Sequence, residues 1–212
     1  MRCAILIPAY NEEAFVAAVV STATASGLGP VLVVDDGSED DTAGVARQAQ
    51  AEVLSLSSNC GKGGAVFAGA AHLDTDVIVL IDADLTNLQV EHLRQLAEPV
   101  LSGQVDMARG VFVGGRWSTE MAQKLAPQLS GQRAVLRARL LEVEGLKESR
   151  YGVEIAITKH AKRANWRIMD VPLAGVSQVI KEEKHGLLRG LLIRLKMYGE
   201  ILWIWLRSLR RP

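Results

Sequence analysis

Two cysteines in 212 residues, Cys3 and Cys60, leave this sequence without a disulfide framework and without C-x-x-C or other metal-ligand cysteine spacing. Such sparse usage fits a reduced, cytoplasmic setting, and Cys3, at the start of an apolar run, is expected as a buried thiol. Net charge is lacking too. Twenty-four Lys and Arg balance 24 Asp and Glu, which excludes the basic excess of a general nucleic-acid binder. The opening MRCAILIPAYNEE breaks at Pro8 after a short apolar run and lacks a full signal-peptide h-region, so the body is expected in the cytosol. No internal repeat, low-complexity segment or linker rich in Pro, Gly or Ser divides the chain. A hydrophobic content of 49% with 23% charged residues then excludes a disordered or collagenous chain, and the length suits one large α/β domain.

The zero net charge conceals two opposed parts. Residues 185–212 hold six Lys and Arg (Arg189, Arg194, Lys196, Arg207, Arg210, Arg211) against Glu200 alone, a local +5. The remaining 184 residues carry 18 basic and 23 acidic side chains. An acidic body ends in a basic tail.

Hydrophobic periodicity alternates between strand and helix through the first half. Apolar runs at Cys3–Ile7, Val31–Val34, Val53–Leu56 and Val77–Ile81 predict strands. Segments Glu12–Ala25, Asp40–Gln50, Gly63–Leu73 and Leu88–Leu101 predict the helices between and after them. Strand and helix in strict turn predict a mostly parallel central sheet covered on both faces. Further on, Val105–Val113 predicts a strand and Gly114–Leu129 a loop with a short helix. Ala134–Val143 and Val153–Ala164 predict helices, and Trp166–Val171 a late strand stopped by Pro172.

In open α/β sheets, ligands bind beyond the carboxyl ends of the strands. The four strands are followed by Pro8-Ala9-Tyr10-Asn11-Glu12-Glu13, Asp35-Asp36-Gly37-Ser38, Asn59-Cys60-Gly61-Lys62-Gly63-Gly64 and Asp82-Ala83-Asp84. Helix capping explains Asn11, Ser38 or Asn59 singly, but not two carboxylate pairs on one edge. Asp82 and Asp84, two residues apart after an apolar strand, crowd like charge at one spot, which is costly unless a cation lies there. Carboxylate oxygens suit Mg²⁺ or Mn²⁺, and Mg²⁺ commonly combines one or two carboxylates with substrate phosphates. Alone, the same D-x-D fits a solvated turn. Its place among four polar strand ends favours the metal.

The other segments leave alternatives open. Asn59–Gly64 is not a Walker A loop, yet a Gly-rich helix start beside Lys62 suits an anion as well as it suits a tight turn with a solvated lysine. Asp36 is either part of a strand-to-helix turn or an acceptor for a base or ribose.

Together, Ile5–Glu13 (ILIPAYNEE), Val33–Thr42 (VVDDGSEDDT), Gly61–Gly64 and Val79–Asp84 (VLIDAD) resemble the family 2 glycosyltransferases of the GT-A fold, in that family's order and spacing. This half resembles the polyprenyl-phosphate sugar synthases, the dolichyl-phosphate mannose synthase-like branch. Ser130-Gly131-Gln132-Arg133, Tyr151-Gly152-Val153-Glu154 and Asp170-Val171-Pro172-Leu173 are similar in outline. GVE together with GKG is also similar to the glucosyl-phosphoglycerate synthases. The resemblance implies one GT-A, Rossmann-like domain over residues 1–184, and the tail over 185–212 is expected as a basic amphipathic helix. The resemblance implies metal-dependent transfer of a sugar from a UDP- or GDP-sugar to an acceptor. Pro8, Tyr10, Glu12 and Asp36 would hold the nucleoside, with Lys62 nearby. Asp82 and Asp84 would bind Mg²⁺ or Mn²⁺ on the diphosphate, Asp84 most directly. Arg133 would approach phosphate or acceptor, and Glu154 would face the acceptor. His185 is a candidate third metal ligand, or a solvated histidine.

The chain departs from the synthase pattern in two places. Thr86 stands where a Gln is common, two residues beyond the second Asp, and Gln178 stands where an Arg is common after the V-P strand. The acceptor, a lipid-linked phosphate in the leading interpretation, is therefore open. A phosphate acceptor needs no general base, whereas a hydroxyl acceptor does, with Glu154 the first candidate. Two other classes compete: a non-catalytic, membrane-associated nucleotide-sugar-binding module, which the intact DAD disfavours, and a sugar nucleotidyltransferase, whose Gly-rich, Arg-containing N-terminal loop is missing.

In the tail, Leu188, Leu191, Leu195, Tyr198, Leu202, Trp205 and Leu209 recur every three or four residues. Charges at Arg189, Arg194, Lys196, Glu200 and Arg207 argue against a transmembrane span. A helix over 186–211 lying in an anionic membrane surface, on the inner face of the plasma membrane, is the functional expectation. Packing on its own domain or on a second subunit of a homo-oligomer is the alternative.

Overall fold

The computed structural model describes residues 1–114 and 130–178. His185, the basic helix over 185–212, the boundary at residue 184 and the loop with a short helix expected over 115–129 lie outside the described residues.

Strands buried on both faces fix the architecture. β1 (Cys3–Ala9), β2 (Val31–Asp35) and β4 (Val77–Leu80) are buried along their whole length, apart from half-buried Pro8. Successive side chains point to opposite faces. One face therefore collects Ile5, Ile7, Val31, Val33, Val77 and Val79 against α1 (Val16–Ala25), α2 (Thr42–Gln48) and α4 (Val90–Leu101). The other collects Ala4, Leu6, Leu32, Val34, Ile78 and Leu80 against α3 (Gly61–His72), α5 (Arg137–Leu141) and α6 (Val153–Arg163). Cys3 lies inside as expected, and burial pushes its thiol up to about 11.

With β3 (Glu52–Ser55), β6 (Met107–Val113), β7 (Arg133–Leu136) and β8 (Ile168–Ala174), the sheet has seven strands in the order β3-β2-β1-β4-β7-β6-β8. Only β7 runs antiparallel to its neighbours. β5 (Leu85–Thr86) and β9 (Ser177–Gln178) form a separate antiparallel ribbon just beyond β4. Because β2 and β4 flank β1 on opposite sides, the strand order reverses at β1, and a crevice opens beyond the carboxyl ends of β1 and β4. The reversed β7 brings its first residue, Arg133, opposite Leu80, at the same edge.

Two expectations are corrected here. Ala134–Val143 was expected to be helical, but Arg133–Leu136 is a strand and the helix begins at Arg137. The gap between β4 and β6 overrides local helix preference: Ala134 and Val135 are completely buried there, one on each face. The late strand is not stopped by Pro172 but runs through it to Ala174. β8 is an edge strand, and Arg167 and Gly175, both odd-numbered, bond towards β6. Pro172 thus faces the open edge, where its missing N–H breaks no ladder bond.

Candidate active site

Four strand-end loops converge on the crevice, and the first two are tied to each other. Asn11 N–H donates to Ser38 Oγ (3.0 Å) and Glu12 N–H to Thr42 Oγ1 (2.8 Å), while Asn11 Oδ1 accepts from Glu39 N–H (2.8 Å). These ties delay α1 to Val16, four residues after the expected start at Glu12. They leave Tyr10 37% exposed at the rim, with Pro8 and Glu12 half-buried beside it. Pro8, Tyr10 and Glu12 therefore lie together, as the motif order implied.

Asp36 is only 3% exposed. Its carboxylate accepts from the backbone N–H groups of Cys60 (2.7 Å) and Gly61 (2.8 Å), at the start of α3. The anion at this Gly-rich helix start is thus the chain's own Asp36, joined to donors that a phosphate would otherwise meet. Burial raises its pKa above the ordinary carboxylate value, outweighing these two bonds and the nearby Arg150. Gly61 is obligatory here. Its φ is +80°, and a Cβ would lie 2.9 Å from the Cα of Arg150, which packs over the helix end.

Lys62, on the first turn of α3, points into the crevice. Its ammonium lies 2.6 Å from Asp82 Oδ1 and 2.5 Å from Glu154 Oε1, and its side chain is 24% exposed. Burial by itself pulls the lysine down, but the two carboxylates outweigh it and hold the ammonium above its ordinary range. Burial pushes Asp82 in the opposite sense to Lys62's charge, and the lysine prevails, keeping Asp82 below the carboxylate range. Glu154 enters from the first turn of α6, about ninety residues away in sequence.

Two further side chains grip Asp82. Gln132 Nε2 donates to Oδ2 at 2.9 Å and Gln178 Nε2 to the same oxygen at 2.5 Å. Between them runs Gly131, where a Cβ would come within 2.5 Å of Asp82 Oδ2 and 2.7 Å of Lys62 Nζ. Neither glutamine is singled out by residue type, because a neutral amide carries no signal of its own. Gln132 lies inside a motif segment, and Gln178 stands at one of the two departures from the synthase pattern. The other departure, Thr86, lies on the facing strand of the β5–β9 ribbon and bonds to Ser177 Oγ at 2.8 Å.

Arg133 differs from its implied role. It is 1% exposed, and its guanidinium donates to Ser130 O (3.0 Å), Glu154 O (3.2 Å) and Thr158 Oγ1 (3.1 Å). Burial pulls its pKa down to about 10, partly offset by Glu154. This arginine braces the start of α6, and with it Glu154, against β7, rather than reaching out to a phosphate or acceptor. A cavity of about 10 Å³ beneath Pro8, Lys62, Asp82 and Glu154 has room for roughly one water and none for a sugar.

The donor set suits a divalent cation shared with a substrate. Among the described residues, no cluster of three or more His, Cys, Asp or Glu could enclose a metal by itself. Asp82 and Asp84 stand half-buried at the end of β4, and Asp82 and Glu154 outnumber the ammonium they share. One or two carboxylates completed by diphosphate oxygens is the arrangement Mg²⁺ and Mn²⁺ favour.

The chain is similar to several known proteins. An undecaprenyl-phosphate mannosyltransferase of Micrococcus luteus is 30% identical over 214 aligned positions, covering 87% of this chain and 87% of that protein. An undecaprenyl-phosphate 4-deoxy-4-formamido-L-arabinose transferase of Salmonella paratyphi A is 32% identical over 46% of this chain and 33% of its own length. Among solved structures, glucosyl-3-phosphoglycerate synthase from Mycobacterium tuberculosis with Mn²⁺ and UDP-glucose is 27% identical, with a TM-score of 0.68 over 84% of this chain and 71% of that one. The fold is accordingly GT-A-like. Residues 4–157 match the model of glycosyl transferase family 2, and the chain belongs to that family.

Proposed function

We propose that the crevice catalyses metal-dependent transfer of a sugar from a nucleoside diphosphate donor to a lipid-linked phosphate. The observation that carries this reading is the single connected cluster of Lys62, Asp82 and Glu154 at the strand-order reversal, with Asp84 beside it. The relatives that act on undecaprenyl phosphate, and the structural neighbour with Mn²⁺ and UDP-glucose, support both halves of the reaction.

In this reading Tyr10, Pro8 and Glu12 form the rim against which the nucleoside lies, and Asp36 fixes the loop below it. Asp84, with Asp82, holds the cation, which when bound neutralises charge on the departing diphosphate. Lys62 is the cation of the cluster and lies within reach of the same oxygens. A phosphate acceptor attacks without a base, so Glu154 serves to position Lys62 and faces the acceptor side. A hydroxyl acceptor is the second reading, favoured by the place of Glu154 in the cluster, where it would take the proton. The segment over 186–211 would bring this site to an anionic membrane face on the cytoplasmic side. No helix among the described residues is long and apolar enough to cross a membrane.

The test is binding and turnover with UDP- and GDP-sugars, Mn²⁺ and undecaprenyl phosphate, in wild type and Asp84→Ala. Turnover with the lipid phosphate, lost in the variant, is the expected result. Full activity of Asp84→Ala, or diphosphate bound away from Asp82 and Asp84 in a soaked crystal, would sink it. For the membrane contact, flotation with anionic liposomes should be lost when residues 186–212 are deleted.

A further inference from the structure

We propose that Gln132 and Gln178 are positioning residues that lock the Asp82 carboxylate in one orientation before any cation or donor arrives, and that Gln178 does so from outside the main sheet. This inference rests on the proposed metal-and-donor reading of the crevice.

The geometry is over-determined. Asp82 Oδ1 is held by Lys62, and Oδ2 receives both amides, so the carboxylate cannot rotate without breaking three contacts. The donors come from three separate places: the first turn of α3, the residue before β7, and β9. The orientation of each amide follows from its surroundings. Ser130 Oγ donates to Gln132 Oε1 at 3.1 Å, which turns the Gln132 nitrogen towards Asp82. A glutamine oxygen placed 2.5 Å from Oδ2 would meet like charge, so Gln178 also presents nitrogen. Ser130 and Gln132 are 1% and 0% exposed, so this arm of the lock is closed to solvent.

Gln178 is carried by a ribbon built for the purpose. Leu85 and Thr86, immediately after Asp84, pair with Gln178 and Ser177, and the Thr86–Ser177 hydroxyl contact fixes the register. The ribbon therefore ties the D-x-D segment to the end of the described chain through two independent contacts, one of them on Asp82 itself. Both glutamines are neutral. They orient Asp82 without cancelling its charge, so the pair of carboxylates keeps its attraction for a divalent cation, whereas a guanidinium at either place would compete with that cation. A ligand sphere already oriented avoids reorganisation on binding, and partners that orient metal-site carboxylates commonly contribute 10- to 100-fold in affinity.

The test is a double-mutant cycle on Mn²⁺ affinity, read by calorimetry or by the Mn²⁺ paramagnetic resonance signal, with UDP or GDP present and no turnover required. Gln178→Met keeps the side-chain volume and removes the donor; it should weaken Mn²⁺ binding about 10-fold. In an Asp82→Ala background the same change should alter affinity less than about 2-fold, because no side-chain oxygen is left to accept the amide. An equal loss in both backgrounds would mean that Gln178 only holds the ribbon together, and overturns the proposal. Failure of the wild type to bind Mn²⁺ with either nucleotide would overturn the donor reading and this inference together, which distinguishes it from a loss confined to the cycle.

Discussion

Two acidic corners lie on either side of β1, and the protein holds them by opposite means. Asp36, beyond β2, is closed by backbone N–H groups of Cys60 and Gly61. Asp82, beyond β4, is closed by the side chains of Lys62, Gln132 and Gln178. Backbone donors move only if the loop refolds, whereas side-chain donors move by changing rotamer. The first corner is therefore part of the fold. The second is a carboxylate oriented by side chains, two of them neutral amides that leave its charge uncancelled, which is what a site that admits a cation requires.

Substitutions can break this comparison. Asp84→Asn should lower kcat/KM by roughly 10²- to 10³-fold with the ligand-free unfolding midpoint unchanged. A matching loss of stability in denaturant would place Asp84 in the structural class instead. Asp36→Ala strands two N–H groups at the start of α3 and should cost about 2 kcal/mol in urea unfolding. Unchanged stability would show that the backbone contacts are not what fixes this corner. Gly131→Ala forces a methyl against Asp82 Oδ2 and Lys62 Nζ, at 2.5 and 2.7 Å. Both are side-chain ends, so the expected outcome is about 1 kcal/mol of stability with about 10-fold in activity. A collapse of folding would make the second corner as much a part of the fold as the first.

The finest test is the sign of a pH effect. Asp36 has a raised folded pKa, chiefly from burial, so the folded protein takes up its proton before the unfolded chain does. Acidification through that raised value relieves a cost, and Asp36→Asn should steepen the fall of Tm with acid just above the ordinary carboxylate range. Asp106 is the reverse case, held low by its hydrogen bonds with Arg167. Its stabilisation is in place above the ordinary carboxylate value and is lost as pH falls through the lower folded one. Arg167→Met should therefore lower Tm slightly at pH 7 and by less at strongly acid pH, where only its bond to Gly103 O remains to be lost.

How much of this was legible depended on sequence distance. The strands β1 to β4 and their helices follow from local periodicity, because each βα unit buries its own apolar face. Asp82, Asp84 and Lys62 stood out because several polar strand ends meet at one sheet edge, although each alone also fits a turn or a helix start, as Asp36 does. β7 was not legible: its residues Ala134–Leu136 have helical company in Arg137–Leu141, and only the slot between β4 and β6 makes them a strand. Arg133 misled for a related reason, since an arginine in a polar motif suggests an anion, while burial against Ser130, Glu154 and Thr158 makes it a brace.

The sequence by itself determined the alternating architecture, the crevice edge and the carboxylates offered there, since these depend on hydrophobic period and on residues a few positions apart. Tertiary structure alone decided which groups meet. It brought Glu154 to Lys62 across 92 residues and Gln178 to Asp82 across 96. Contacts of that separation depend on how helices and strands pack, and no local pattern encodes the direction in which a distant amide will point.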